Sequence, residues 1–144
     1  MKKILVALDG SSRSDGVLSH AVSIARATGA KLVLFRSFGI PPDMSLAWPA
    51  SDEPLEVALR RLAQEYLEER AATVAPELLA GTQVVIGAPW EAVCSTARNE
   101  NVDLIVIGSH GYSGVDHLLG TTAAKIVNHA DRSVLVVRLA PAAS

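Results

Sequence analysis

The part of this chain best equipped to bind a ligand runs from Val102 to Thr122. It consists of an apolar run, a loop with four glycines and the start of a predicted helix; the glycines are Gly108, Gly111, Gly114 and Gly120. Glycines allow backbone N–H groups to approach an anion closely, and a helix N-terminus adds partial positive charge. The order of strand, glycine-rich turn and helix therefore predicts a phosphate-binding site and suggests a nucleotide as its ligand.

A glycine-rich turn can also do no more than connect a strand to a helix. Here the glycines are followed by two adjacent hydroxyls, Thr121 and Thr122, and this combination favours phosphate binding. Two other phosphate motifs are absent from the sequence. No Gly-Lys-Ser/Thr follows the loop, and the segment Leu8-Asp9-Gly10-Ser11 does not match the dinucleotide pattern GxGxxG.

Five apolar runs are predicted to be strands that position this loop. They are Lys3–Leu8, Lys31–Ser37, Gln83–Gly87, Leu104–Gly108 and Ser133–Arg138. Near-continuous runs of Val, Ile and Leu are typical of a parallel sheet that is covered on both faces. Because helical patterns separate the runs, we expect an α/β fold: an open five-stranded parallel sheet with helices on both faces, Rossmann-like in its layers.

The predicted helices differ in how clearly they are marked. Ser12 and Asp15 resemble a capping pair for a first helix that Gly29 closes, and Thr121–His129 is predicted to be the last helix. Segment 38–53 has no periodicity and is expected to be an irregular excursion that could act as a lid. The predicted apolar faces of the two middle helices are Leu55, Leu59, Leu62 and Tyr66, and Trp90, Val93, Cys94 and Ala97.

Asp9 and Gly108 end the first and fourth predicted strands. If these strands are central neighbours, both residues face one crevice at the carboxyl edge of the sheet, where such folds bind ligands. Asp9 could accept hydrogen bonds from ribose hydroxyls or coordinate Mg²⁺. It could also serve as a cap for the helix that begins near Ser12, and the two roles are compatible.

Composition narrows the class of protein. With 144 residues and 49% apolar residues, the chain is predicted to be one globular domain, 1–139, with a frayed tail, 140–144. A net charge of -2 provides no general attraction for nucleic acid or anionic membranes. No segment approaches the ~18 apolar residues of a membrane span. Since Cys94 is the only cysteine, a cytoplasmic protein is expected.

Three blocks of the sequence resemble the universal stress protein family, in its nucleotide-binding branch. In chain order they are KKILVALDGS, VDLIVIGSHG and HADRSVLVVR, and the resemblance extends over nearly the whole chain. The ATP motif of that family is Gly, two residues, Gly, nine residues, Gly and then Ser or Thr. Gly108 and Gly111 match its first half, and eight residues rather than nine then precede Gly120 and Thr121.

The resemblance implies an adenine-nucleotide-binding fold, ATP with Mg²⁺ or Mn²⁺ as ligand, and a homodimer. By position, it implies that Ala7 and Ser37 border the base and that Asp9 lies by the ribose or the metal. His110 is interpreted as a loop residue beside the nucleotide. The remaining implied contacts are Ile107 and Gly108 along the nucleotide and Gly111, Gly120, Thr121 and Thr122 at the phosphates.

These features favour a regulatory ATP-binding module in the stress response. The alternative is a slow ATPase or a nucleotidyl-transfer enzyme of the same fold. The loop contains no cation, and Asp9 is the one candidate carboxylate, so efficient phosphoryl transfer is not expected. A phosphoacceptor receiver domain is excluded, because its acidic residue is absent after the third strand, which ends in Val85-Ile86-Gly87.

The remaining singled-out residues have structural interpretations. Cys94 is expected in the core, and Lys125 and Arg132 are expected to be solvated. The last strand, 133–138, is predicted to be an apolar edge strand without a protecting proline or lysine. Pairing with a second copy across a two-fold axis would cover it, which agrees with the implied homodimer.

Overall fold

A five-stranded parallel sheet forms the middle of the molecule. The computed structural model describes residues 1–40, 42–49, 53–109 and 119–139. The strands are β1 (Lys3–Ala7), β2 (Lys31–Phe38), β3 (Leu79–Ile86), β4 (Leu104–Gly108) and β5 (Ser133–Val137). They pair in the order β3-β2-β1-β4-β5, and every pair is parallel. The predicted open parallel sheet is therefore confirmed.

Helices cover both faces of this sheet, as predicted. They are α1 (Ser14–Thr28), α2 (Pro42–Ala47), α3 (Leu55–Ala71), α4 (Pro89–Asn99) and α5 (Thr121–His129), and a short 3-10 turn (Pro76–Leu78) precedes β3. Strand side chains alternate between the faces. In β1, Ile4 and Val6 pack with α1 and α3, whereas Leu5 packs with α4 and α5, and all three are fully buried.

Strand β1 lies at the point where the chain changes direction across the sheet. Val6 pairs with Leu34 of β2 on one side and with Val106 of β4 on the other. The chain first builds β2 and β3 on one side of β1 and later adds β4 and β5 on the other side. The carboxyl ends of β1 and β4 therefore border the crevice expected at a topological switch point, and the predicted adjacency of the Asp9 and Gly108 strands is confirmed.

The two edges of the sheet differ. On β3, side chains of α3 bond to the edge: Arg60 Nη1 donates to Val84 O (3.3 Å) and Gln64 Nε2 donates to Thr82 Oγ1 (3.0 Å). Strand β5 forms the other edge, as predicted, and its central side chains, those of residues 134–136, are only partly buried. Among the described residues, no helix is both long and apolar enough to span a bilayer.

Two details of the predicted helices are wrong. Helix α1 begins at Ser14 and has no side-chain cap, so the predicted pair Ser12 and Asp15 does not start it. The buried face of α3 consists of Leu55, Ala58, Ala63 and Leu67, whereas Leu62 is 53% exposed. Alanines allow this helix to lie close to the sheet, and a pattern read from its large side chains missed them. By contrast, the predicted burial of Val93, Cys94 and Ala97 in α4 is confirmed.

Arg132 was predicted to be solvated, and the structure shows that this is wrong. Its side chain is 18% exposed, and Nη1 donates hydrogen bonds to Ala97 O (2.9 Å) and Val102 O (3.1 Å). Carbonyls in the last turn of a helix lack intrahelical partners, and a guanidinium can satisfy them.

Segment 38–53, predicted to be irregular, contains helix α2. The predicted frayed tail, 140–144, lies outside the described residues.

Candidate functional site

A cavity of about 800 Å³ opens at the carboxyl ends of β1, β2 and β4. It is bordered by the segment between β1 and α1 and by the first turn of α5. Most of the predicted site residues lie together in its wall: Ala7, Asp9, Ser37, Ile107, Gly108, Gly120, Thr121 and Thr122. The other two predicted residues, His110 and Gly111, lie outside the described residues. Residues distant in sequence therefore line one cavity, as the strand order requires.

Asp9 is held in place by the beginning of α1. Its Oδ1 accepts hydrogen bonds from the backbone N–H of Ser11 (2.9 Å) and from the hydroxyl of Ser14 (2.9 Å). Burial raises the pKa of this carboxyl, but the hydrogen bonds from Ser11 and Ser14 outweigh burial and hold the pKa below its ordinary value. Asp9 is therefore an anion at neutral pH. The alternative role of Asp9 as the cap of this helix is wrong, because no described side chain caps α1; the carboxylate contacts the hydroxyl of Ser14, the first residue of the helix.

The first turn of α5 provides hydrogen-bond donors at the other border of the cavity. Gly120 precedes this helix in an extended conformation, and no side chain caps the helix within the described residues. Gly120 N–H donates to Ser109 O (2.9 Å), and Ser109 N–H donates to Val137 O (3.1 Å), so the ends of β4 and β5 fix where α5 begins. The uncapped N–H groups of this turn, beside Thr121 and Thr122, suit an anion.

Another part of the cavity wall is apolar. It is formed by Phe35 and Phe38 of β2, Val93 of α4 and Ile126 of α5. Ala7 and Ser37 lie in the same wall at the ends of their strands. A flat heterocycle can bury its faces against such side chains while a phosphate group reaches the donors of α5. The combination fits a molecule with an aromatic ring at one end and anionic oxygens at the other.

Sequence reasoning missed two cations at this cavity, Arg13 and Arg36. It considered cations within the glycine loop only, whereas these arginines come from the start of α1 and from β2. Arg13 stands four residues after Asp9, so its position beside the candidate carboxylate was a usable signal. For Arg36 there was none, since a single arginine in a strand does not indicate where its side chain goes. The cavity wall therefore carries two cations that the sequence analysis did not assign to it.

Arg36 supports the turn that carries Asp9. A Cβ added at Gly10 would lie 2.8 Å from both terminal nitrogens of Arg36, so this guanidinium lies flat against the glycine. Its Cζ is 4.8 Å from the centre of the Tyr66 ring, and that of Arg70 is 4.7 Å from the same ring. Arg70 Nε in turn lies 3.0 Å from Asp15 Oδ1. This chain of contacts joins α3 to the segment between β1 and α1.

A divalent cation at this site would depend on the nucleotide for most of its ligands. The described residues contain no group of three or more His, Cys, Asp or Glu side chains placed to hold a metal. Asp9 is the one carboxylate among the described residues of the cavity wall. The hydrogen bonds from the Ser11 backbone and the Ser14 hydroxyl both go to Oδ1, and a carboxylate oxygen is a ligand that hard cations such as Mg²⁺ or Mn²⁺ prefer. The residues present therefore fit a metal that arrives with phosphate oxygens.

Comparisons with known proteins identify the family of the chain. The sequence pattern of the Universal stress protein family matches residues 1–138. A universal stress protein of Thermus aquaticus is 35% identical over 138 residues, which cover 95% of this chain and 98% of that protein.

Solved structures show the same fold. The structure of hypothetical protein MJ0577 matches with a TM-score of 0.81 at 23% identity, over 98% of each chain. A universal stress protein solved in complex with cAMP matches with a TM-score of 0.63 at 26% identity, over 94% of this chain and 96% of that chain.

Proposed function

Because the chain belongs to the universal stress protein family, we propose that it binds an adenine nucleotide, ATP above all, and acts as a nucleotide-dependent module of the stress response. The observation that carries the proposal is the cavity at the switch point. It combines an oriented carboxylate, Asp9, with the uncapped first turn of α5 and an apolar wall. The cAMP complex of a related protein supports the same ligand class.

Each part of the nucleotide has a matching part of the cavity. The base packs against the apolar wall near Ala7 and Ser37, and Asp9 accepts hydrogen bonds from ribose hydroxyls or holds the metal through a carboxylate oxygen. Phosphate oxygens accept hydrogen bonds from the backbone and hydroxyls at Gly120, Thr121 and Thr122. A bound Mg²⁺ or Mn²⁺ neutralises phosphate charge. His110, Ile107, Gly108 and Gly111 complete the proposed contacts.

Regulation requires that ATP prefer one conformation of the protein, because a ligand shifts an equilibrium only by its difference in affinity for the two states. The segment after β2 is a suitable reporter of such a change, since β2 ends in the cavity wall. Trp48 Nε1 donates to Glu53 O (2.6 Å), and Glu53 pairs with Arg61 of α3. A change at the end of β2 on binding would therefore alter a surface formed with α3.

Calorimetry with ATP and Mg²⁺ tests the proposal. We expect a Kd in the micromolar range, roughly -8 kcal/mol. Asp9→Asn removes the charge at the cavity and is expected to weaken binding. Asp131→Asn makes the same chemical change just before β5, at the amino-terminal ends of the strands and away from the cavity. It is expected to leave binding unchanged. Absence of both heat and a thermal shift with millimolar ATP and Mg²⁺ would refute the function.

Efficient ATP hydrolysis is not part of the proposal. Rapid phosphoryl transfer requires a positioned nucleophilic water in addition to cations at the phosphates. Within the described residues, Asp9 is the one acidic side chain of the cavity wall, and its pKa is lowered, which makes it a weak base. Steady-state phosphate release well above stoichiometric turnover would reverse this conclusion.

We extend the proposal to a homodimer formed through β5. This edge strand exposes part of its apolar residues, whereas the β3 edge receives hydrogen bonds from α3. Val136→Lys places a charge on the open edge and is expected to give a folded monomer in analytical ultracentrifugation. Gln83→Lys on the covered edge is the matched control and should remain dimeric. An unchanged dimer for Val136→Lys would show that another surface is used.

A cytoplasmic location is also proposed. The only cysteine of the chain, Cys94, is buried in α4, and burial raises the pKa of its thiol, so it is neither placed nor activated for disulfide exchange.

A further inference from the structure

Arg13 is a cation in the cavity wall for which the described residues provide no anionic partner. Its side chain is half-buried and its Nη1 is fully buried, yet that nitrogen makes no hydrogen bond to any described residue. Within the described part of the chain, no carboxylate lies within 4.0 Å of Arg13, whereas several other arginines have such a partner: Arg60, Arg61, Arg70, Arg98 and Arg132. A buried guanidinium nitrogen without an acceptor is costly, so its position calls for a ligand.

The fold places Arg13 close to the end of β4. Its carbonyl accepts the backbone hydrogen bond of Val17 (3.2 Å), so the two residues are one helical turn apart. Val17 in turn touches the end of β4, because a Cβ added at Gly108 would lie 3.3 Å from Val17 Cγ2. One turn of helix rises about 5.4 Å, which is within the length of an arginine side chain. Gly108 and Arg13 therefore border the same part of the cavity.

Arg36 cannot take the same role without losing its own contacts. Its guanidinium is stacked between Gly10 and the ring of Tyr66. Arg13 has no such contact within the described residues. Of the two arginines of the wall, Arg13 is the one whose guanidinium is not held by a described aromatic ring or glycine.

We infer that Arg13 binds the phosphate chain of the nucleotide and thereby makes the site select ATP and ADP over AMP, cyclic AMP and adenosine. The inference rests on the proposed function and adds the residue that decides specificity. A guanidinium binds phosphate oxygens through two parallel N–H groups, and each added phosphate group increases the negative charge that it can reach. The base contacts are common to all five ligands. The ribose contacts are common to all of them except cyclic AMP, whose 3′ oxygen is esterified, so neither set of contacts can favour ATP and ADP over AMP or adenosine.

Calorimetric titration of wild type and variants with ATP and with adenosine tests the inference. Adenosine carries the base and ribose but no phosphate, so it reports any general damage to the cavity. Arg13→Ala is expected to lower ATP affinity about tenfold or more, as for loss of a charged hydrogen bond, and to leave adenosine affinity unchanged. Arg26→Ala removes the same charge from the exposed far end of α1 and is expected to change neither affinity.

Arg13→Lys keeps the charge without the paired N–H groups and is expected to retain more ATP affinity than Arg13→Ala. The inference is overturned if Arg13→Ala binds ATP as tightly as wild type, if it loses ATP and adenosine affinity equally, or if lysine is no better than alanine. In each of these cases wild-type binding of ATP leaves the proposed function intact. If wild type binds no adenine nucleotide, the proposed function and this inference fail together.

Discussion

The contact between Gly10 and Arg36 can be tested with two glycines that share one backbone conformation. Gly10 and Gly29 both have φ near +78°, in the left-handed region. A Cβ at Gly10 would meet the Arg36 guanidinium at 2.8 Å, whereas a Cβ at Gly29 would have no atom within 4 Å. The substitutions Gly10→Ala and Gly29→Ala therefore introduce the same backbone strain, and only the first displaces a neighbouring side chain.

The expected difference follows from the contacts that are lost. An alanine in the left-handed conformation costs about 1–2 kcal/mol, and the reduced entropy of the unfolded chain offsets about 0.4–1 kcal/mol of this. Gly29→Ala should therefore lower the free energy of unfolding by about 1 kcal/mol. Gly10→Ala also moves Arg36 from the Tyr66 ring, a contact worth about 1 kcal/mol at a half-buried site, so its total cost should be about 2 kcal/mol.

Urea unfolding followed by circular dichroism measures both costs. With an m-value of about 2 kcal/mol per molar urea, the midpoints of the two variants should differ by about 0.5 M. In an Arg36→Ala background the two alanine substitutions should cost the same, which completes a double-mutant cycle. Equal midpoints for Gly10→Ala and Gly29→Ala in the wild-type background would refute the reasoning, because the guanidinium would then move aside without cost.

Two further predictions concern stability. Leu67 is fully buried and Leu62 is 53% exposed. Leu67→Ala should therefore lower the free energy of unfolding by about 2–5 kcal/mol, and Leu62→Ala by less than about 0.5 kcal/mol. Similar urea midpoints for the two variants would contradict the observed buried face of α3. The Asp103 carboxylate accepts backbone N–H groups of Lys2 (2.6 Å) and Lys3 (3.0 Å), and these hydrogen bonds hold its pKa below the ordinary 3.8. A carboxyl whose pKa is lowered by folding stabilises the fold fully at pH values above its ordinary pKa, and this stabilisation is lost as the pH falls through the lowered pKa. Asp103→Asn should therefore lower the urea midpoint by its full amount near neutral pH and by less below pH 3.8. A decrease in midpoint that does not depend on pH would argue against this role.

Sequence patterns located β1, β2, β4 and β5 to within one residue, because a buried parallel strand needs an almost continuous apolar run whatever its neighbours are. Strand β3 begins at Leu79, four residues before the predicted start, and its first half, which contains Gly81 and Thr82, is not such a run.

The same patterns were less reliable for α3, whose contact face includes Ala58 and Ala63. Alanine is common on both buried and exposed faces of helices, so large side chains such as Leu62 dominated the pattern. Arg132 was misjudged for a related reason: its acceptors are carbonyls at the end of α4 and at Val102, far from it in sequence.

The sequence by itself determined the layers of the fold and the position of Asp9 and Gly108 near strand ends, and it predicted a phosphate site around Gly120. Each of these follows from local periodicity or from the conformational freedom of glycine, which neighbours in the chain are sufficient to express. Only the tertiary structure decided that Arg13 lines the cavity and that Arg36 supports the turn at Gly10. A long flexible side chain has many rotamers of similar energy, and the packing of elements distant in sequence selects among them.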